Sequence, residues 1–201
     1  MTETKVNFIC DDGTRLEGLL HRGNPDKGAV ISHPHPLYGG DMHNNVVEAI
    51  QMAYQEKGYS TLRFNFRGVG ASAGRYDNGN GEQLDVMAAC NFLEDSGVSS
   101  VGLAGYSFGT WVNAKIADKL PGNPMIMVSP PAAMLAFPAD LKIPGLKLVV
   151  TGSADEFAAP ELISGLVSRW NPSASFEIIH DADHFFWGFT DRLHTVLKNF
   201  I

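Results

Sequence analysis

Apolar and polar residues largely alternate along Arg15-Leu16-Glu17-Gly18-Leu19-Leu20 and Thr61-Leu62-Arg63-Phe64-Asn65-Phe66, the period of strands with one face buried more deeply than the other. Ala29–Ser32, Val101–Ala104, Met125–Ser129, Lys147–Thr151 and Phe176–His180 are short apolar runs bounded by Gly, Pro or Asp, and read as strands buried on both faces. Between them the period changes to that of helices. Val46, Val47, Ile50, Ala53 and Tyr54 mark one, Leu84, Met87 and Ala88 a second, and Phe108, Val112, Ile116 and Leu120 a third. Leu162, Ile163, Leu166, Val167 and Trp170, then Phe189, Leu193, Val196, Leu197 and Phe200, complete the series.

Strand and helix alternate from residue 28 onward, which implies right-handed βαβ crossovers and a mostly parallel sheet covered on both faces, a three-layer α/β/α sandwich. Residues 5–10 and 15–21 flank an Asp11-Asp12-Gly13 turn and predict an antiparallel hairpin at one edge, for about eight strands in all. No repeat or low-complexity linker interrupts the pattern, so a single domain over residues 1–201 is expected. The polar, glycine-rich stretch Gly70–Gly81 is expected to be the most flexible.

Composition narrows the function classes. The chain is 44% hydrophobic, enough for one sizeable core at 201 residues. Its 15 basic residues are outnumbered by 22 acidic ones and are scattered, so nucleic acid is not an expected partner. Leu120–Ala139 carries no formal charge, but Pro121, Pro124, Pro130, Pro131 and Pro138 break any spanning helix, and a membrane is not expected either. The N-terminus lacks the pattern of a secretory signal, and Cys10 and Cys90 have no metal-ligand or redox spacing. Reduced, buried thiols in a cytoplasmic protein follow as the expectation.

The chemistry-bearing motif is Gly105-Tyr106-Ser107-Phe108-Gly109, between a predicted strand and a predicted helix. A turn sharp enough to lift Ser107 Oγ from the sheet presses the residues two positions either side together, and only very small residues fit there. The free N–H groups at the start of the next helix favour an oxyanion. Gly68-Val69-Gly70-Ala71-Ser72-Ala73-Gly74 has its third glycine one place too late for a dinucleotide fingerprint, and no Gly-Lys-Ser/Thr occurs. No cofactor is expected.

A serine nucleophile needs a base, and the base needs an anion to fix its tautomer. In an open α/β sheet both belong on loops beyond the carboxyl ends of strands. Of the downstream histidines, His180 ends a strand and His194 lies inside the last helix, whereas His184 occupies the loop between them. Asp155 follows the Lys147–Thr151 strand and is the expected acid; Glu156 beside it and Asp181 or Asp183 near His184 are the alternatives.

Ser32-His33-Pro34-His35-Pro36-Leu37-Tyr38-Gly39-Gly40 raises a separate question, because His33, His35, Asp41 and His43 are metal-ligand types within eleven residues. Zinc requires three or four ligands converging at about 2 Å. Pro34 and Pro36 restrict the loop against that, so no metal is expected, and Asp41 and His43 are expected at the pocket rim or capping a helix from about Asn44.

The order Ser…Asp…His, the serine turn and the alternating sheet resemble the α/β-hydrolase fold over essentially the whole chain. The closest likeness is to small lidless hydrolases related to dienelactone hydrolases, which often carry a Pro-His-Pro loop after the third strand and an Arg-Gly-x-Gly-x-Ser segment after the fourth. Here these are His33–Gly40 and Arg67-Gly68-Val69-Gly70-Ala71-Ser72. Dienelactone hydrolases proper resemble cysteine enzymes at the turn, so their substrate does not transfer to Ser107, and the lipase-type His-Gly-Gly-Gly loop is absent, which disfavours lipids. Only Pro130–Gly145 separates two strands where many relatives insert a helical cap, implying an open, shallow pocket.

The resemblance implies two oxyanion donors: the N–H of Phe108, and one from the loop after the third strand. Prolines have no N–H, which leaves His35, Leu37 or Tyr38. Leu37 is favoured, because Pro36 before it and Gly39-Gly40 after it let the chain bend back, with His35 next. His35, Tyr38, Tyr106 and Phe185 are expected pocket residues, with Phe186 and Trp187 divided between pocket and core. The expected function is a serine hydrolase, a carboxylesterase or thioesterase, acting on a small-molecule ester or thioester through an acyl-enzyme on Ser107. The alternatives are an aminopeptidase-like serine peptidase and a non-catalytic binding protein with the same fold. A homodimer is allowed.

Overall fold

The computed structural model describes residues 2–201. Eight strands form one sheet: β1 (Thr4–Ile9), β2 (Arg15–His21), β3 (Asn24–Ser32), β4 (Tyr59–Phe64), β5 (Val101–Tyr106), β6 (Met125–Val128), β7 (Leu146–Gly152) and β8 (Ser175–Ile179). Their order is β1-β2-β4-β3-β5-β6-β7-β8. The β1–β2 hairpin is antiparallel and β2 pairs antiparallel with β4; every pairing from β4 to β8 is parallel. The helices are α1 (Asn45–Glu56), α2 (Gly81–Asp95), α3 (Phe108–Lys115), α4 (Pro160–Trp170) and α5 (Thr190–Phe200).

Side-chain alternation along the parallel strands makes two cores. Val30 of β3 faces the core of α2, α3 and α4 with Leu93, Val112 and Ile163, while Ala29 and Ile31 face that of α1 and α5 with Ile50 and Leu193. Among the described residues no helix is long and apolar enough to cross a membrane. The proline-rich stretch 120–139 contains β6 and turns.

Four expectations are revised. The alternation over residues 61–66 does not leave one face less buried than the other: Thr61, Arg63 and Asn65 are buried as Leu62, Phe64 and Phe66 are. Each is satisfied there, Thr61 Oγ1 by Gln55 Nε2, the Arg63 guanidinium by Glu3, Glu48 and the Met42 carbonyl, and Asn65 by Met42 N–H and Glu17. β3 begins at Asn24 rather than Ala29, its polar first turn joined to the rest through an irregularity between Asn24 and Gly28. α3 stops at Lys115 instead of reaching Leu120: from Ile116 on, N–H groups bond carbonyls three residues back in tight turns, as Ile116 does to Asn113 and Ala117 to Ala114.

The 70–81 stretch is tied down rather than loose. Ala73 N–H donates to Arg15 C=O, Ser72 Oγ to Asn65 C=O, and the Glu82 carboxylate accepts from the N–H groups of Asp77 and Gly79. Its glycines serve left-handed backbone and close approach: a Cβ on Gly79, at φ 81°, would lie 2.2 Å from the Trp111 ring. The loop is anchored by Arg67, whose N–H and guanidinium both bind the fully buried Asp85 of α2, the latter at 2.7 Å. Cys10 and Cys90 are free and buried, and burial pushes both thiols up to about 12.

Candidate active site

β5 ends at Tyr106 and α3 begins at Phe108, so the chain reverses at one residue, and Ser107 takes φ 52°, ψ −120° to do it. A side chain in that conformation is strained, which costs of order 1–3 kcal/mol and persists only where surrounding structure fixes it. The flanking glycines supply the room. A Cβ on Gly105 would lie 2.9 Å from the backbone of Gly109 and Thr110, the crowding expected of the motif. A Cβ on Gly109 would lie 2.4 Å from the Ser32 carbonyl oxygen and 2.8 Å from that of His33. The second glycine therefore also admits the loop that follows β3.

Asp155 lies just beyond β7, with its Oδ1 accepting the N–H groups of Phe157 (3.0 Å) and Ala158 (2.8 Å). His184 follows β8, on a turn with Asp181 and Phe186 at positive φ. Two contacts hold that turn against the sheet. Ala154 N–H donates to Ala182 C=O at 2.9 Å, so close that a Cβ on Gly152 would lie 2.1 Å from the same oxygen. Tyr106 Oη donates to the His184 C=O at 2.8 Å.

These loops bring Ser107, His184 and Asp155 into one hydrogen-bonded line. His184 Nδ1 is 2.9 Å and 3.0 Å from the two carboxylate oxygens of Asp155, and His184 Nε2 is 2.9 Å from Ser107 Oγ. All three side chains are buried. Burial alone raises the Asp155 carboxyl, but the hydrogen bond and charge interaction with His184, together with the Ala158 N–H, hold it below its ordinary value. An ionised carboxylate only accepts, so the neutral imidazole carries its proton on Nδ1 and presents the lone pair of Nε2 to the serine hydroxyl. The alternatives lie elsewhere: Glu156 is exposed, Asp183 accepts from Phe185 N–H, the exposed Asp181 pairs with His180, and His194 faces Glu56 at 3.5 Å.

The β3 loop differs from expectation. Leu37 N–H donates to the Nδ1 of His35 at 3.2 Å, capping the short turn Pro36–Tyr38, and Leu37 is 66% exposed. It is thereby removed as the second free donor. The amide left free is that of His35, the second choice, which meets no acceptor among the described residues. Phe108 N–H, at the head of α3, is likewise uncommitted.

The metal-ligand types of this segment are engaged separately. His33 is fully buried, with Nε2 accepting from Phe66 N–H at 3.0 Å and Nδ1 2.6 Å from Pro34 C=O. His35 uses Nδ1 for Leu37 and Nε2 for Tyr76 Oη, and His43 is exposed, while Asp41 accepts from His43 N–H. Helix α1 is capped by Asn44, whose side chain accepts from Val46 N–H.

Of the expected pocket residues, Phe185 is half exposed against the His184 and Phe157 rings, and Tyr38 is exposed beside His35. His35 packs on Phe108 and Tyr76. Tyr106 does not line the pocket: it is buried in the sheet face and works through its hydroxyl. Phe186 belongs to the core and Trp187 to the surface. Sequence reading missed His33 and the anchoring hydroxyl of Tyr106; the apolar strand before His33, which leads it into the interior, is the one available signal.

A mostly parallel sheet in this order, with a serine at the β5–α3 turn and no helix between β6 and β7, defines an α/β serine hydrolase without a lid. The chain belongs to that family. It is similar to a serine hydrolase homologue of Coxiella burnetii, at 34% identity and TM-score 0.90 over 99% of this chain and 97% of that one. A lidless serine hydrolase of Xanthomonas campestris is 31% identical, at TM-score 0.89 over 99% and 93% of the two chains. An uncharacterized protein of Rickettsia prowazekii is 33% identical over 98% of this chain and 88% of its own. No family model matches the chain.

Two outcomes follow. Burial pushes the His33 ring from 6.5 down to about 4, so between those values the unfolded chain binds a proton that the folded chain refuses. Stability should be full above pH 6.5 and fall by about 3 kcal/mol as the pH drops to 4. Urea midpoints across that range should fall less steeply for His33→Gln than for wild type. Tyr106→Phe leaves the His184 carbonyl without its donor and should cost about 1–2 kcal/mol in urea unfolding, with the fold retained.

Proposed function

We propose that this chain is a serine esterase or thioesterase for small acyl substrates, working through an acyl-enzyme on Ser107. The observation that carries the reading is the unbroken line Asp155–His184–Ser107, with both hydrogen bonds of the imidazole at 3.0 Å or less. Ser107 Oγ forms a bond to the substrate carbonyl carbon as its proton passes to His184 Nε2, and the π pair moves onto the carbonyl oxygen. The N–H groups of Phe108 and His35 receive that oxyanion. As the tetrahedral species collapses, the bond to the leaving oxygen or sulfur breaks, and the proton on Nε2 goes to the departing alkoxide or thiolate. Water then repeats the sequence on the acyl-enzyme, giving its proton to His184 and releasing the carboxylic acid and Ser107. Asp155 keeps the ring in the required tautomer and stabilises the imidazolium.

The absence of a helix between β6 and β7 and the exposed Leu37, Tyr38, Phe185 and Trp187 support an open apolar rim rather than an enclosed tunnel. Two free buried thiols accord with a cytoplasmic setting.

Wild type should hydrolyse p-nitrophenyl acetate and butyrate and be labelled by a fluorophosphonate probe. Ser107→Ala and His184→Ala should each lower kcat by about 10³-fold or more, and Asp155→Asn by about 10³–10⁴-fold. Equal rates in wild type and Ser107→Ala, or labelling that survives that change, would overturn the mechanism. Turnover of aminoacyl amides without esters would make the chain a peptidase, and a folded, unlabelled, inactive wild type would make it a binding protein.

A further inference from the structure

The buried ring of His33 takes no part in the line through Ser107, yet both its nitrogens are engaged. Phe66 N–H can only donate, so Nε2 accepts and the neutral ring bears its proton on Nδ1. Nδ1–H therefore donates to Pro34 C=O, at 2.6 Å. The Pro34–His35 peptide is trans, which points that carbonyl and the His35 N–H in opposite directions. Holding one end of the unit aims the other.

We propose that His33 is a positioning residue of the proposed hydrolase: it fixes the Pro34–His35 peptide so that the His35 N–H faces the oxyanion. The proposal rests on the esterase reading and adds to it how the second donor is held. Three further contacts carry it. The carbonyls of Ser32 and His33 lie against Gly109, so this loop abuts the head of α3, where Phe108 N–H is free. The His35 ring packs on that of Phe108 at 4.7 Å between centroids, and its Nε2 meets Tyr76 Oη at 3.2 Å, fixing the far side of the same residue. Phe66 itself is held in place by its neighbour Arg67, whose N–H and guanidinium both bind Asp85. A chain of fixed contacts thus runs from α2 through Phe66 and His33 to a peptide beside the serine turn.

The two ring nitrogens separate by substitution. Asparagine places an amide donor near the position of Nδ1 and lacks the acceptor for Phe66; glutamine reaches the position of Nε2 and lacks the donor to Pro34. His33→Gln should lower kcat on p-nitrophenyl butyrate by about 10- to 100-fold with KM within about twofold, and His33→Asn should recover most of that loss even where its urea midpoint is the lower of the two. His35 has φ −60°, which suits proline, so His35→Pro deletes the amide itself and should cost at least as much as His33→Gln. A wild-type kcat in His33→Gln, or losses in both His33 variants that simply follow their stabilities, would overturn the assignment while leaving the esterase reading intact. A wild type that neither turns over esters nor takes the fluorophosphonate would overturn the esterase reading, and this assignment with it.

Discussion

The close packing of Gly109 against the carbonyls of Ser32 and His33 is the constraint on which the site depends. It ties the turn after β5 to the loop after β3, and neither can shift without the other. Because β3 and β5 are hydrogen-bonded neighbours in parallel register, with Ser32 opposite Gly105, the two loops leave the sheet side by side. A single methyl group on Gly109 would wedge them apart. Ser107 holds a strained conformation within this contact, braced by its N–H on Val128 C=O and by the first turn of α3.

The polar interior around this contact is ordered by charge and tautomer. Two buried arginines, Arg63 and Arg67, are each matched by carboxylates, and unpaired they would be very costly to bury. Two buried histidines, His33 and His184, are each fixed as Nδ1–H tautomers, one by a backbone donor at Nε2 and the other by a carboxylate at Nδ1. The same tautomer is thus imposed on two imidazoles by opposite kinds of partner.

Much of the architecture was legible from periodicity, since strands buried on both faces and amphipathic helices leave different spacings. The meeting of Ser107, Asp155 and His184 was legible for a related reason: loops at the carboxyl ends of neighbouring parallel strands must converge. The direction of a peptide was not. Leu37 looked the better amide on local grounds, but the His35 ring takes up its N–H, and the neighbouring peptide is held by a ring whose state depends on Phe66, 33 residues away. Tyr106 misled similarly, because its alternation gave its face of the sheet but not the partner of its hydroxyl, which lies 78 residues on. The polar positions of residues 61–66 read as the less buried face because a charge pattern carries no record of partners contributed by the N-terminus and α1.

The segment between β6 and β7 makes turns and contains no helix. On the esterase reading, with Ser107, His184 and Asp155 already within hydrogen-bonding distance of one another, binding a substrate has no catalytic group left to bring into position. Such an enzyme gives up induced fit as a means of choosing among substrates. Selectivity then falls to the rim side chains themselves, where one methylene more or less shifts the preference by only about 1–3 kcal/mol. The same openness lets leaving group and water exchange without waiting for a flap to move.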